Sequence, residues 1–194
     1  MKNDNSVNSF KKNKSNVIES GAYFKKWNKF LEEGSILSIL FTGVGGQGII
    51  LTTTVVAEAA LLDGLDVKVS EVHGMAQRGG SVIGSVRIGK RVYSPITDKA
   101  DFIISLEKLE AFRYINRLES EGFIIVNDFE IHPVSIFLSG VKYPENIISG
   151  LGKYTSNYMV IKATEIAKKL NEIRASNMVL LGCLSNFIPI KKES

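Results

Sequence analysis

The stretch from Ile36 to Leu62 constrains the fold more than any other. An apolar run, Ile36 to Phe41, leads into Gly43-Val44-Gly45-Gly46-Gln47-Gly48, and a helix-patterned segment, Ile49 to Leu62, leaves it. Strand, glycine loop and helix in that order make a phosphate-binding βα unit. Gly43 is placed to take the bend out of the strand, Gly45 and Gly46 carry no Cβ to hold a ligand off, and Gly48 lets the helix start lie close to the sheet. The unpaired N–H groups at that helix start, with the dipole, favour a phosphate or carboxylate. The same glycines also suit a purely structural turn. Gln47 departs from the common dinucleotide fingerprint, putting an amide where it could contact a ligand or a neighbouring chain.

Beyond a plausible helix stop at Asp63-Gly64, Leu65 to Ser70 alternates as a second strand. A dinucleotide fold places an acid at this strand's end for the ribose hydroxyls, and Glu71 is the candidate. It lies 28 positions after Gly43, whereas the fingerprint wants about 20, so nicotinamide binding is the minority reading. The segment from Glu71 to Ser81 is too broken by Gly74, Gly79 and Gly80 for a long helix. It leaves the carboxyl end of strand two, the edge that carries ligands in open α/β sheets. Arg78 beside Gly79-Gly80 offers a fork of donors next to bare backbone, suited to a phosphate or carboxylate, while an ion pair with a local acid is the plainer alternative. His73 and His132 are the two histidines, and they suggest no metal cluster.

Composition narrows the class. The net charge of +4 is concentrated at the start, where residues 1–34 hold seven Lys against four acids, leaving 17 basic and 16 acidic residues beyond. A nearly neutral body argues against a nucleic-acid surface. Cys183 is the one cysteine, which excludes an internal disulfide or an all-cysteine iron–sulfur cluster supplied by this chain alone. No apolar run approaches a membrane span and the Lys/Asn-rich start lacks a signal-peptide core, so a cytoplasmic location is expected.

The expected organisation is an N-terminal extension over residues 1–34 and one domain over 35–194. Met1 to Ser20 is too polar to offset its ordering entropy and reads as disordered. Tyr23, Trp27, Phe30 and Leu31 then form one stripe of a short helix, which either packs on the domain or docks on a partner. Val82–Ile88 and Arg91–Ser94 are expected to pair as a hairpin across Gly89-Lys90, with Gly89 supplying a positive φ. Further strands are expected at Ala100–Leu106, Phe123–Asn127 and Tyr158–Ile161, and helices at Leu109–Leu118, Ala163–Ile173 and Asn177–Phe187. The fold class is α/β, a doubly wound, mostly parallel Rossmann-like sheet with an inserted antiparallel hairpin.

Taken together, the glycine loop at Gly43–Gly48, the segment Ser70–Ser81, Val86-Arg87 and Tyr93-Ser94-Pro95 resemble the gamma-type domain of the 2-oxoacid:ferredoxin oxidoreductases, from about Ile36 to Leu184. The resemblance implies an enzyme that decarboxylates an aryl-pyruvate on thiamine diphosphate, passes electrons through [4Fe-4S] clusters to ferredoxin and transfers the acyl group to coenzyme A. This chain has no Gly-Asp-Gly with a downstream Asn for magnesium diphosphate. Thiamine diphosphate, Mg and the clusters are therefore expected on a large alpha subunit, and this chain is not expected to be active alone. Its own share would be backbone and a cation, Gly43, Gly45, Gly46, Gln47, Gly48, Glu71, Arg78, Gly79 and Gly80, for coenzyme A or for the interface; no catalytic residue is assigned. Against that family the chain ends early, at Ser194, so apolar surface and poor solubility alone are expected. A stand-alone nicotinamide or flavin oxidoreductase and a non-catalytic nucleotide-binding scaffold are the alternatives.

Overall fold

The computed structural model describes residues 20–73, 80–132 and 142–190. Among these residues six strands, β1 (Leu37–Val44), β2 (Asp66–His73), β3 (Ser81–Gly89), β4 (Ala100–Ser105), β5 (Leu118–Asn127) and β6 (Tyr158–Ile161), form one sheet in the order β2-β3-β1-β4-β5-β6. The strands β1, β4, β5 and β6 run parallel, while β3 is antiparallel to both β1 and β2. All strands except β3 therefore point the same way, and the α/β class with a mostly parallel sheet holds. All eight residues of β1 are buried, which is why this strand reads as a continuous apolar run rather than an alternating one.

Helices cover both faces. On one, Leu37, Ile39 and Phe41 of β1 join Phe102 and Ile104 of β4 under α2 (Ile49–Leu62), together with Leu180 and Leu184 of the last helix. On the other, Leu40, Ile103, Ile124 and Val126 pack with Ala111 of α3 (Lys108–Tyr114) and Leu151 of α4 (Ile147–Leu151). The remaining α-helices among the described residues are α1 (Ser20–Glu32), α5 (Ala163–Lys169) and α6 (Ser176–Leu184). Helix α1 is a domain helix: Trp27 is 3% exposed, sits 5.4 Å from the Phe102 ring and meets Phe30 edge-on. Packing on the domain, not docking elsewhere, thus uses the Trp27 and Leu31 stripe. The disorder expected over Met1–Ser20 falls almost wholly outside the described residues.

The hairpin needs correction. No strand forms at Arg91–Ser94, because β1 and β2 occupy both edges of β3. The hairpin is instead β2 with β3, in register from Asp66↔Gly89 to His73↔Val82. The segment after β3 is pinned as a loop: Arg87 Nη1 donates to the carbonyls of Ser94 and Ile96 at 2.9 and 3.2 Å, and Ser85 Oγ donates to Pro95 O at 2.9 Å. Gly89 does not have the positive φ expected of it; a Cβ there would meet Ser35 O at 3.3 Å. Three helices are also shorter than expected. The region after α3 tightens into a 3-10 turn at Ile115–Arg117, α5 stops at Lys169, and α6 stops at Leu184 rather than Phe187.

Candidate functional site

The carboxyl ends of β1 and β2 and the start of β3 lie at one rim, since Val44 pairs with Ser81 and His73 with Val82. Gly45 N–H donates to Gly80 O at 2.8 Å, tying the glycine loop to the end of the second segment. Arg78 and Gly79 lie outside the described residues.

Within the loop the glycines divide by task. Gly43 does not bend the chain; it is still strand, and a Cβ there would meet Gln47 Oε1 at 2.8 Å, Ile49 Cδ1 at 3.1 Å and Leu106 Cβ at 3.2 Å. Gly48, at φ +83°, caps α2 in the left-handed region, and a Cβ there would press on Asn177 Nδ2 at 2.7 Å, so its bareness admits α6. The glycine that lets α2 lie on the sheet is Gly84 of β3, where a Cβ would meet Thr53 Cγ2 at 2.6 Å. Gly46 is exposed at φ +101° with nothing within 4 Å of the Cβ position, leaving its backbone open.

Gln47 is turned inward. Its Oε1 accepts from Val44 N–H at 2.7 Å and its Nε2 donates to Leu106 O at 3.0 Å, bracing β1 against the turn after β4. Glu71 faces α2, where it accepts from Thr53 Oγ1 at 2.8 Å.

Sequence reasoning passed over a polar layer beneath the rim. Thr42, Ser105 and Asn127 lie at or beside the ends of β1, β4 and β5, all buried. Thr42 Oγ1 donates to Ser105 Oγ at 2.8 Å, and Asn127 Nδ2 donates to Leu106 O at 3.1 Å and to Thr164 Oγ1 at 2.9 Å. The Leu106 carbonyl thus accepts from Gln47 and Asn127 together, linking the rim from β1 to α5. The signal was a short polar side chain closing each apolar run.

Two buried acids follow. Glu107 caps α3 by accepting from Glu110 N–H at 2.9 Å, and it also accepts from Ile131 N–H at 3.3 Å and from the Tyr143 hydroxyl. Burial, then the Glu107 carboxylate, pushes the Tyr143 phenol far above its ordinary pKa, so it stays a donor. Glu110 accepts from the Ser81 hydroxyl and pairs with Arg113 at 3.2 Å; burial raises its pKa, against the pull of those two partners. Lys108 is a rim cation already engaged by Glu130 at 2.6 Å and Asp128 at 3.2 Å. Burial works against its charge, but those carboxylates outweigh it and raise its pKa. Among the described residues no group of three or more His, Cys, Asp and Glu is arranged to hold a metal ion.

Residues 38–194 match the family model described as pyruvate ferredoxin/flavodoxin oxidoreductase. The chain belongs to this family. It is a subunit of a 2-oxoacid:ferredoxin oxidoreductase. It is 43% identical to the indolepyruvate oxidoreductase subunit IorB of Archaeoglobus fulgidus over 78% of this chain and 77% of that one. The gamma subunit of a keto/oxoacid ferredoxin oxidoreductase from Geobacter sulfurreducens has a similar structure, with a TM-score of 0.58 and 25% identity, covering 81% of this chain and 80% of that one. The 2-oxoglutarate:ferredoxin oxidoreductase of Magnetococcus marinus, with 2-oxoglutarate, coenzyme A and succinyl-CoA bound, shares the fold at a TM-score of 0.63 and 22% identity. The match covers 81% of this chain but 25% of that one, so there the fold is one part of a longer polypeptide.

Proposed function

We propose that this protein is the non-thiamine subunit of an indolepyruvate:ferredoxin oxidoreductase. The observation that carries the reading is the likeness to the Archaeoglobus fulgidus subunit over more than three quarters of both chains. The complete enzyme would convert an aryl-pyruvate and coenzyme A to the aryl-acyl-CoA and carbon dioxide. Two electrons pass to ferredoxin and the thiol proton is released. Thiamine diphosphate and Mg do not fit this chain's residues, which lack the diphosphate motif, and one cysteine does not fit a [4Fe-4S] cluster. These groups are assigned to a large alpha subunit, and no step is routed through this chain's own side chains. A cytoplasmic location follows from exchange with ferredoxin; among the described residues no helix is long and apolar enough to cross a membrane.

This chain's part is to shape the rim and hold the anionic end of coenzyme A. Gly46 is the open backbone of the loop, and the first turn of α2 has amides without intrahelical acceptors. Arg78 and Gly79 would add a cation and bare backbone, while Gly80 anchors the segment on Gly45. Gly43, Gln47, Gly48 and Glu71 act behind the surface, through the contacts that fix the loop and α2. Residues 35–194 are the catalytic-subunit domain, and α1 of the N-terminal extension packs on it.

The test is reconstitution of the complex from both subunits, with indolepyruvate-dependent reduction of ferredoxin as the readout. Gly46→Val and Arg78→Ala are expected to raise the KM for coenzyme A about tenfold or more, each removing an anion contact. Unchanged KM values in an assembled complex would leave these residues an interface role alone.

A further inference from the structure

We infer that the outer face of α2 is the seat of the large subunit that completes this enzyme, an inference that rests on the function proposed above. The helix carries one charged residue, Glu58, in its 14 positions. Its inner side is already spent on the domain, with Thr52, Thr53, Val56, Ala57 and Ala60 buried. Its outer side is nonetheless largely aliphatic: Leu51 is 54% exposed, Leu61 57% and Leu62 73%, with Ile50 and Val55 beside them and Thr54 and Glu58 as the exposed polar residues between. A surface helix of a self-sufficient domain is mostly polar on the outside, whereas here five exposed aliphatic side chains flank only Thr54 and Glu58, a balance that marks a protein contact. Leu51, Val55, Glu58 and Leu62 follow one another at i, i+4, i+7 and i+11, the spacing by which a helix is read by a groove or a second helix.

Position and charge select the occupant. The row begins in the first turn after Gly48, so whatever covers Ile50 and Leu51 also reaches the glycine loop. A subunit that carries the thiamine and clusters has to approach that rim for coenzyme A to bridge the two chains. Exposed Glu58, with no lysine or arginine on the helix, is the wrong charge for an anionic lipid surface. In the Magnetococcus protein the same fold is covalently part of a chain four times its share. Where the domain is a separate polypeptide, noncovalent surface must do the work of that tether.

The experiment uses the full chain, tagged and co-expressed with the large subunit from the same organism. Leu51→Asp combined with Leu62→Asp is expected to cut recovery of the large subunit by at least about tenfold, the loss typical of an interface hot spot. The thermal midpoint of the variant alone should match that of the wild type, since both side chains point outward. Hydrogen exchange on the unmodified complex gives a second readout that needs no variant: residues 50–62 should be slower in the complex than in the isolated chain. Undiminished recovery, or equal exchange in both states, overturns the assignment. So does a wild-type homodimer that the double substitution dissociates while the hetero-complex persists, which would make a second copy the occupant. A complex that assembles through α2 but fails to oxidise indolepyruvate would sink the proposed substrate and leave the docking face standing.

Discussion

The two ends of the sheet treat shielded carboxylates differently, fully buried at the rim and partly buried at the far end. At the rim, Glu107 is 1% exposed yet accepts from two backbone N–H groups and the Tyr143 hydroxyl, and Glu110 has Ser81 and Arg113. At the opposite end, Asp101 of β4 accepts from Ser38 N–H at 2.8 Å. Burial pushes its pKa up to about 6, the Ser38 N–H opposes the rise, and the nearby Glu119 charge adds to it. The difference shows where the fold tolerates strain. Glu107 locks the turns that frame the candidate site through three donors, whereas Asp101 at the far end has one backbone donor to set against its burial and is carried at a cost to stability.

The largest test of that contrast is Glu107→Ala. It removes the α3 cap and strands two backbone donors and a phenol, so a loss of about 3 kcal/mol in urea unfolding is expected. A loss under about 1 kcal/mol would mean that water replaces the carboxylate and the rim is not locked. Next comes Asp101→Asn, with the opposite sign. Because the folded pKa of Asp101 is raised, its contribution is fully favourable below the unfolded value of 3.8 and is lost as pH rises through about 6. The Asn variant keeps an acceptor for Ser38 and carries no charge, so it should be more stable than wild type at pH 7–8 by about 1–2 kcal/mol. That advantage should shrink toward pH 4, as thermal unfolding across the pH series would reveal. The smallest effect is expected for Glu110→Gln, within about 1 kcal/mol of wild type, because the Ser81 hydroxyl retains an acceptor while a buried charge is removed. If Glu110→Gln proved as damaging as Glu107→Ala, the Arg113 pair would be the reason and the rim would depend on charge rather than on hydrogen-bond count.

Much of the fold was legible because its signals are local. The buried β1 shows as an unbroken apolar run, and Asp63-Gly64 ends α2 as expected, with Gly64 at φ +78° and Leu65 N–H on Ala60 O at 3.0 Å. Tyr158–Ile161 has the bounds the pattern gave it. The hairpin misread has a plain cause. Arg91–Ser94 has the pattern of a strand, but pattern does not show that β3 is already paired on both edges. For the same reason the glycine roles were exchanged: the bareness of Gly84 and Gly43 matters because of Thr53, Gln47 and Leu106, and no spacing rule reports those neighbours.

By itself the amino-acid sequence determined the α/β class, the glycine loop between β1 and α2, and the kinship with 2-oxoacid oxidoreductases, since each is carried by residues contiguous in the chain. Only the tertiary structure decided that Gln47 braces Leu106 instead of facing outward, that Glu107 and Glu110 anchor the rim, and that five aliphatic side chains of α2 stay exposed. Those outcomes depend on which strands become neighbours, and that is settled by the packing of distant segments against one another.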